Sequence, residues 1–316
     1  MQTPMPEHIH DLSNACLDKP SMVTIGVFDG VHIGHQHLIR QVVESAHNND
    51  QLAVVLTFFP HPDIVLRGLE GRYYLTSPEQ RAEELIKLGV DYVITHPFDM
   101  ETREISATDF VDKLLTHLNM KVLRVGSDFA LGYKREGDIP FLTEQGREKG
   151  FSVEAIELVQ TQNDAHKIIS STLIREALQT AKIDKVCDWL GRGYALRGKV
   201  IHGEKRGRQI GFPTANTQIW DEQVIPANGV YAGWAYLNGE RFMAMTNVGV
   251  SPTFAYKGVT VEAHLLDFER DIYGQTLTIT FEKYLRPEAK FDNLQALIAQ
   301  INSDVEAGRV FLTSLM

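Results

Sequence analysis

The stretch MVTIGVFDGVHIGHQHLI, Met22 to Ile39, combines an apolar run, a glycine turn and the start of a helical pattern. The run MVTIGVF (22–28) is typical of a strand that is buried on both faces. From Gly34 onward, the apolar residues recur at helical spacing. Between the two, Asp29-Gly30 permits a tight turn because glycine has no side chain. The stretch therefore predicts a strand, a turn and a helix in that order.

The same alternation continues through the first half of the chain. Apolar runs indicate further strands at 52–58, 91–95 and 121–126, and another near SVEAIEL. Helical patterns occupy 34–47, 77–89 and 106–118, with another near FLTEQGREKG. This order predicts a Rossmann-like α/β domain with a parallel sheet whose faces are both covered. Ligands of such sheets bind at the carboxyl ends of the strands, where the Asp29-Gly30 turn lies.

The pattern changes near residue 183. Short strands are predicted, without intervening helices, at 195–203, 229–237, 240–250, 259–268 and 275–285. Asn238-Gly239 indicates a hairpin turn between two of them. Five or six strands of this kind predict a small antiparallel barrel, followed by a helix at 293–308 that ends at Gly308. The predicted domains are residues 1–182 and 183–316.

The composition limits the class of protein. The 316 residues carry a formal net charge of −10, which argues against binding nucleic acid through broad phosphate neutralisation. Cys16 and Cys187 lie far apart in the chain, which indicates free thiols in a reducing compartment. There is no signal pattern at the N-terminus and no apolar run of eighteen residues. We expect a cytoplasmic protein without nucleic-acid or membrane partners; the sequence leaves its oligomeric state open.

Three histidines follow the first predicted strand. His32 and His35 are three residues apart, so both side chains can point to the same binding site at the start of the helix. His37 lies nearly opposite on the helix. A zinc site would need three or four ligands, and no acidic or cysteine partner stands nearby at ligand spacing. A helix N-terminus suits an anion such as phosphate, which favours a phosphate site. Histidines that are merely solvated at a helix start are the alternative.

A second anion-binding pattern occurs in ISSTLIREAL (169–178). Ser170, Ser171 and Thr172 precede a helical run, where hydroxyl groups cap free backbone N–H groups. Arg175 follows one turn later, and its planar guanidinium suits phosphate oxygens. Taken alone, the stretch is more typical of a capped surface helix with an exposed arginine.

The segment HGEKRGRQIGFPTANT (202–217) contains a glycine every four residues, at Gly203, Gly207 and Gly211. Flexible basic backbone of this kind can fold over a polyphosphate, although a solvated hairpin tip is the alternative. The chain has no P-loop motif. Thr214 and Asn216 alternate, so both side chains point the same way on an extended segment and offer oxygens suited to Mg²⁺. A plain turn containing asparagine is the alternative here.

Several longer strings together resemble one family. GVFDGVHIGHQHLI (26–39), TFFPHP (57–62), VGSDFALGYKREGD (125–138) and ISSTLIR (169–175) are similar to the adenylyltransferase half of the bacterial bifunctional riboflavin kinase/FMN adenylyltransferase family. GFPTAN (211–216), NVGVSPTF (247–254), VEAHLLDFERDIYG (261–274) and RPEAKF (286–291) resemble its riboflavin kinase module. The resemblance implies a nucleotidyltransferase domain followed by a six-stranded antiparallel barrel with a terminal helix.

For the first domain, the resemblance implies transfer of AMP from ATP to FMN, giving FAD and pyrophosphate. His32 and His35 would stabilise charge on the α-phosphate. Ser171, Thr172 and Arg175 would hold the β- and γ-phosphates of the leaving group. The remaining implied contacts are Gly26, Phe28, Asp29 and Gly34 for the nucleotide, and Phe58, Pro60 and the loop at Asp128–Phe129 for the flavin. Leu131 replaces a more usual aromatic residue of the family, which puts a flavin-stacking role at that position in doubt.

For the second domain, the resemblance implies transfer of the γ-phosphate of ATP to the ribityl 5′-hydroxyl of riboflavin. Glu262 would accept the hydroxyl proton. Thr214 and Asn216 would bind Mg²⁺ with ATP, and the segment of Gly203, Gly207 and Gly211 would close over the phosphates. Further contacts are implied for Phe212, Asn228 and Arg286. Two alternatives remain: an enzyme that keeps one of the two activities, and a non-catalytic regulator that binds flavin or nucleotide.

Overall fold

The computed structural model describes residues 5–157, 169–203, 207, 210–250 and 258–316. The chain divides into two compact units. The first unit comprises residues 1–70 and 77–170, and the second comprises 71–76 and 171–316. The predicted boundary after residue 182 divides the chain by activity and stays a prediction.

The first unit contains the parallel sheet predicted from the apolar runs. Its strands are β1 (Glu7–His10), β2 (Ser21–Ile25), β3 (Leu52–Phe59), β4 (Tyr92–Pro97), β5 (Met120–Gly126) and β6 (Ser152–Ile156). They lie in the order β1-β4-β3-β2-β5-β6, and every neighbouring pair is parallel. The predicted fold class of this half is confirmed.

Six α-helices accompany the sheet within the described residues of the first unit. They are α1 (Ile33–Asn48), α2 (Pro62–Arg67), α3 (Pro78–Lys87), α4 (Met100–Glu104), α5 (Ala107–Leu118) and α6 (Ile139–Lys149). Successive side chains of a strand point to opposite faces of the sheet. Val54 belongs to the apolar cluster that includes α5, whereas Val55 belongs to the cluster that includes α1 and α3. Helices therefore cover both faces of the sheet.

The strand order places a crevice at the carboxyl ends of β2 and β5. From β2 the chain adds β3 and then β4 on one side, and it returns to add β5 on the other side of β2. Ligands of open parallel sheets bind where the order reverses in this way. The turn at 26–32 follows β2, and Ser127-Asp128 follows β5. The conspicuous histidines thus lie at the position that the topology favours for a ligand.

The second unit is a closed antiparallel barrel. Its strands are β7 (Tyr194–Ile201), β8 (Ala215–Ile219), β9 (Gly229–Leu237), β10 (Glu240–Val250), β11 (Val259–Leu265), β12 (Thr276–Phe281) and β13 (Lys283–Arg286). The order β10-β11-β8-β7-β12-β9 closes into a six-stranded ring because β9 also pairs with β10. β13 follows β12 in the chain and, like β12, pairs with β9 in antiparallel orientation. The six-stranded barrel is confirmed.

The described part of the second unit includes the helices α7 (Ser171–Gln179), α8 (Ile183–Leu190) and α9 (Leu294–Thr313). The prediction that the terminal helix ends at Gly308 is wrong, because α9 continues to Thr313. Gly308 instead lies against the Met245 side chain on the barrel, where a Cβ atom would overlap the sulfur. The glycine therefore serves helix packing and not helix termination. Among the helices that the structure describes, none is long and apolar enough to cross a membrane.

Candidate active sites

The turn between β2 and α1 holds two histidines in contact. His32 is the N-cap of α1, and its Nδ1 accepts a hydrogen bond from the backbone N–H of His35 at 3.3 Å. The two imidazole rings stack, with centroids 3.5 Å apart and planes 19° apart. The edge of Phe28 packs against His35 at a centroid distance of 5.2 Å. The turn therefore presents the two predicted histidines as one unit at a helix N-terminus.

The backbone of this turn is strained. Phe28, Gly30 and Val31 have φ angles of 51°, 79° and 43°, and Val31 is branched at Cβ, for which this region is unfavourable. The N–H of Val31 donates to the carbonyl of Phe28 at 3.0 Å and closes the turn. Such strain costs about 1–3 kcal/mol per residue and concentrates at functional sites. It supports a binding role for the turn.

A buried arginine supports the turn from behind. Arg81 on α3 is fully buried, and its guanidinium donates to the carbonyl oxygens of Val27 at 2.7 Å and Phe58 at 3.2 Å. It therefore joins the backbone at the ends of β2 and β3. Arg81 belongs to none of the motifs that stand out in the sequence. Its place four residues before Leu85, on the apolar face of a predicted helix, was the available indication.

These surroundings keep His35 uncharged. Burial, then the neighbouring His32 and then the Arg81 charge hold the pKa of His35 well below its usual value of 6.5. Its Nδ1 is buried and makes no hydrogen bond to any residue that the structure describes. A neutral imidazole donates from one nitrogen and accepts at the other. His35 is therefore suited to hydrogen bonding with phosphate oxygens rather than to carrying a fixed charge.

The third histidine lies apart from the pair. His37 is exposed, and its Nε2 lies 2.7 Å from the side-chain nitrogen of Gln41, one turn along α1. Among the described residues, no group of three or more His, Cys, Asp or Glu side chains could hold a metal ion. The described part of the chain thus gives the zinc interpretation no support.

The predicted nucleotide contacts cluster at the same turn. Asp29 and Phe28 are buried there. Gly26 lies directly against the Phe28 ring, and Gly34 lies against His32: a Cβ atom at these glycines would come within 2.8 and 3.2 Å of the respective rings. The glycines therefore permit the close packing that shapes the turn.

The predicted flavin contacts lie beyond β3 and β5. Phe58 packs among aromatic rings, including Phe98 at 5.7 Å and Phe110 at 6.3 Å between centroids. Asp128 is exposed, and its carbonyl accepts a hydrogen bond from Arg135. Leu131 is only 8% exposed and belongs to the main apolar core of the first unit. Its burial explains why an aliphatic side chain fits there.

Arg175 of the second motif lies on α7. Ser171 and Thr172 form the first turn of this helix, whereas the sequence predicted that they precede it. Arg175 donates from Nε to the carbonyl of Tyr73 at 2.6 Å, and its guanidinium carbon lies 4.0 Å from the centre of the Tyr73 ring. Residues 71–76 belong to the same unit as α7. A cation–π contact of this kind fixes the guanidinium plane.

The barrel brings the three polar residues of its predicted site together. Asn216 on β8 and Glu262 on β11 are directly paired across the two strands. Thr214 lies two residues before Asn216, and its hydroxyl donates to a Glu262 carboxylate oxygen at 3.3 Å. A Cβ atom at Gly203 would overlap the Asn216 amide. The pairing therefore joins a carboxylate, an amide and a hydroxyl, with glycine backbone close by.

A cavity of about 420 Å³ adjoins this cluster. Thr214 and Pro213 line it from one side, and Ile272 and Tyr273 from another. The Tyr273 ring also contacts His202, with centroids 3.9 Å apart. The lining combines apolar residues with the charged residues Glu269, Arg270 and Asp271. A cavity of this size is typical of a small-molecule site.

The remaining predicted contacts have varied surroundings. The Phe212 ring meets His264 edge-on at 5.5 Å, and its backbone N–H donates to Gly207. Gly211 has a φ of 88°, and Asn228 is exposed just before β9. Arg286 donates to both carboxylate oxygens of Asp304 on α9. Three basic residues of the glycine segment fall outside the described residues: Lys205, Arg206 and Arg208.

Two family models match this chain. The model described as FAD synthetase matches residues 15–173, and the model described as riboflavin kinase matches residues 190–312. The first match contains the histidine turn, Ser171 and Thr172, and it ends two residues before Arg175. The second match contains Thr214, Asn216 and Glu262 of the barrel.

Full-length relatives give the same result. A bifunctional riboflavin kinase/FMN adenylyltransferase of Listeria monocytogenes is 38% identical over 302 residues, which cover 94% of each chain. Its counterpart in Escherichia coli K12 is 37% identical over 305 residues, 96% of each chain. A crystal structure described as a macrolide-efflux protein from Streptococcus pneumoniae is 29% identical, with a TM-score of 0.85 over 96% of this chain and 99% of that one. Since both halves and nearly the whole length are matched, the chain belongs to the bifunctional riboflavin kinase/FMN adenylyltransferase family.

Proposed function

We propose that this chain phosphorylates riboflavin to FMN and then adenylylates FMN to FAD, using ATP in both steps. The observation that carries the proposal is that each of the two family matches contains candidate residues that the fold brings into contact. One is the stacked pair of His32 and His35 at the start of α1, in which the pKa of His35 is held well below its usual value. The other is the paired Asn216 and Glu262 of the barrel. A regulator without catalysis would have no need for either arrangement.

In the adenylylation step, a phosphate oxygen of FMN attacks the α-phosphorus of ATP. The new P–O bond forms as the bond to pyrophosphate breaks, so pyrophosphate leaves with the electron pair. His32 and His35 would donate hydrogen bonds to the α-phosphate as its charge rises. Ser171, Thr172 and Arg175 would bind the departing phosphates. No protein nucleophile is required, because FMN carries its own.

Substrate positioning in this step would use the residues at the carboxyl ends of the strands. Gly26, Phe28, Asp29 and Gly34 would line the nucleotide pocket. Phe58 and the loop at Asp128 would contact the flavin. Alignment of the two phosphates is the main contribution a protein can make to such a reaction.

In the kinase step, the ribityl 5′-hydroxyl of riboflavin attacks the γ-phosphorus of ATP. Glu262 would accept the hydroxyl proton, and ADP leaves with the electrons of the broken P–O bond. The glycine segment with Gly203, Gly207 and Gly211 would close over the phosphates. Phe212, Asn228 and Arg286 are the further proposed contacts of nucleotide or flavin.

The donor chemistry near Glu262 fits magnesium. Thr214 and Asn216 offer a hydroxyl and an amide oxygen beside a carboxylate, and Mg²⁺ prefers oxygen ligands that it shares with substrate phosphates. We propose that these two residues hold Mg²⁺ that arrives with ATP. The ion would supply neutralising charge to the phosphates. A cytoplasmic location, and the lack of nucleic-acid and membrane partners, remain expectations from composition.

One assay tests the proposal against its alternatives. Purified protein is incubated with riboflavin, ATP and Mg²⁺, and the flavins are separated by chromatography. We expect FMN followed by FAD. FMN without FAD would indicate that only the kinase is active, and FMN supplied as substrate then tests the other half directly. If neither riboflavin nor FMN is converted, the chain is a binding protein and the proposal is wrong.

A further inference from the structure

A row of three polar side chains crosses neighbouring strands of the barrel. Asn247 on β10 pairs with Glu262 on β11, and Glu262 pairs with Asn216 on β8. Directly paired residues in a sheet point to the same face, with Cβ atoms about 4.5–5.5 Å apart. The Asn247 amide is therefore a neighbour of the Glu262 carboxylate, as Asn216 is on the opposite side.

Asn247 points away from the barrel interior. Thr246 and Val248, its neighbours on β10, are buried inside, and Met245 lies on the outer face, against Gly308 of α9. Because side chains alternate along a strand, Asn247 shares the outer face with Met245. Asn247 is half-buried, and its side chain makes no hydrogen bond to another residue that the structure describes.

The strand order separates the proposed positions of ATP and the acceptor hydroxyl, which lie on opposite sides of Glu262. Thr214 and Asn216, the proposed ligands of Mg²⁺ and ATP, lie on the β8 side of Glu262. The acceptor hydroxyl must reach both Glu262 and the γ-phosphorus, so it approaches from a side that ATP does not occupy. Asn247 lies on that side, on β10.

The surface beside Asn247 is polar. Gly249, the next residue of β10 on the same face, has no side chain, and the Glu288 carboxylate occupies the place where its Cβ would stand. A Cβ atom at Gly249 would also lie 3.2 Å from the Asn247 amide nitrogen. An amide donor and a second carboxylate acceptor thus stand together next to the proposed base.

We propose that Asn247 binds the ribityl hydroxyl of riboflavin that receives the phosphoryl group. Its amide N–H donates to the hydroxyl oxygen, while the hydroxyl donates its proton to Glu262. The oxygen keeps a lone pair for the γ-phosphorus; as the new P–O bond forms, the bond to ADP breaks and the proton passes to Glu262. A neutral amide suits this place because it orients the hydroxyl without competing for the proton. The inference rests on the proposed kinase activity of the barrel.

The test compares Asn247→Ala with the wild-type chain in steady-state assays of both reactions. Loss of an orienting hydrogen bond should lower kcat/KM for riboflavin about 10- to 100-fold. The KM for ATP and the conversion of FMN to FAD should each stay within about twofold. The matched control is Gln218→Ala, which removes an exposed amide from the same outer face of β8 and should change nothing.

A second measurement separates a hydroxyl contact from damage to the flavin pocket. Lumiflavin has the ring system of riboflavin but no ribityl chain, so its inhibition constant against riboflavin should be the same in wild type and Asn247→Ala. Equal weakening of riboflavin and lumiflavin, or an unchanged kcat/KM for riboflavin, would overturn the role of Asn247 while leaving the kinase intact. If the wild-type chain forms no FMN at all, the proposed kinase function fails first, and this inference fails with it.

Discussion

The His32 and His35 rings stack at 3.5 Å between centroids, directly at the N-terminus of α1. Because a single hydrogen-bond donor to a developing charge contributes about 10²–10³ in kcat, we expect His35→Gln to lower FAD formation from FMN by that factor. Riboflavin phosphorylation should be unchanged, since it belongs to the barrel. Separate assays of the two reactions, with each flavin supplied in turn, measure both.

The neighbouring His37 provides the control for this substitution. It is exposed and contacts Gln41, away from the stacked pair. His37→Gln should leave FAD formation within about twofold of wild type. Equal losses in the His35 and His37 variants would contradict the division of the cluster into a functional pair and a bystander.

The charge of Arg81 should be visible in the titration of His35. Burial, His32 and Arg81 lower the pKa of His35, and a nearby positive charge disfavours the protonated ring. Arg81→Met removes that charge, so the pKa of His35 should rise toward 6.5, whereas Arg81→Lys should keep it low. NMR titration of the imidazole protons measures the shift. The wild-type ring should stay neutral when the pH falls through 6.5.

Arg147, a second arginine of the first unit, provides the control for the Arg81→Met substitution. Arg147 lies on α6 with an exposed side chain paired with Glu144. Arg147→Met should leave the His35 titration unchanged. If Arg81→Met also leaves it unchanged in folded protein, burial alone sets the pKa and the supporting role of Arg81 is limited to the backbone.

Glu262 should be required for the kinase reaction alone. Glu262→Gln keeps the size of the side chain but cannot take up the hydroxyl proton, so FMN formation should fall about 10²–10⁴-fold. Conversion of added FMN to FAD should persist. The control is Asp267→Asn, an exposed carboxylate of the same unit that pairs with Arg309. Parallel loss of both activities in folded Glu262→Gln would refute the assignment of one reaction to each half.

The architecture of both halves was predictable because local patterns determine it. Continuous apolar runs separated by helical patterns indicated the parallel sheet, and short strands around Asn238-Gly239 indicated the barrel. Strand β1 was missed because EHIH contains no apolar run: as an edge strand, it is held by backbone pairing with β4. Gly308 was misjudged because a glycine that ends a helix and one that permits close packing look alike in sequence.

The sites were predictable only in part. The spacing of His32 and His35, and that of Thr214 and Asn216, indicated these residues as candidates, whereas Glu262 was a candidate only through the resemblance to the family. Arg81 and Asn247 were not singled out, because their roles depend on contacts between distant segments. The pairing of Asn247 with Glu262 follows from the register of β10 with β11, and no local pattern contains that information.

The pair of Arg286 and Asp304 should contribute strongly to the stability of the barrel unit. The two side chains are only 20% and 8% exposed, and Asp304 accepts hydrogen bonds from two guanidinium nitrogens. Removing one partner leaves a poorly solvated charge, so Asp304→Ala should lower the free energy of unfolding by about 3 kcal/mol. All three tryptophans lie in the second unit, so urea unfolding followed by tryptophan fluorescence reports on the barrel.

Replacing both partners distinguishes this explanation from a simple loss of packing. The double variant Arg286→Met with Asp304→Leu buries no charge, so it should recover stability to within about 1 kcal/mol of wild type. A double variant as unstable as Asp304→Ala would show that shape, and not charge, is decisive at this contact. The same double variant tests the proposed ligand contact of Arg286, because a stable barrel that loses FMN formation would place the guanidinium at a substrate.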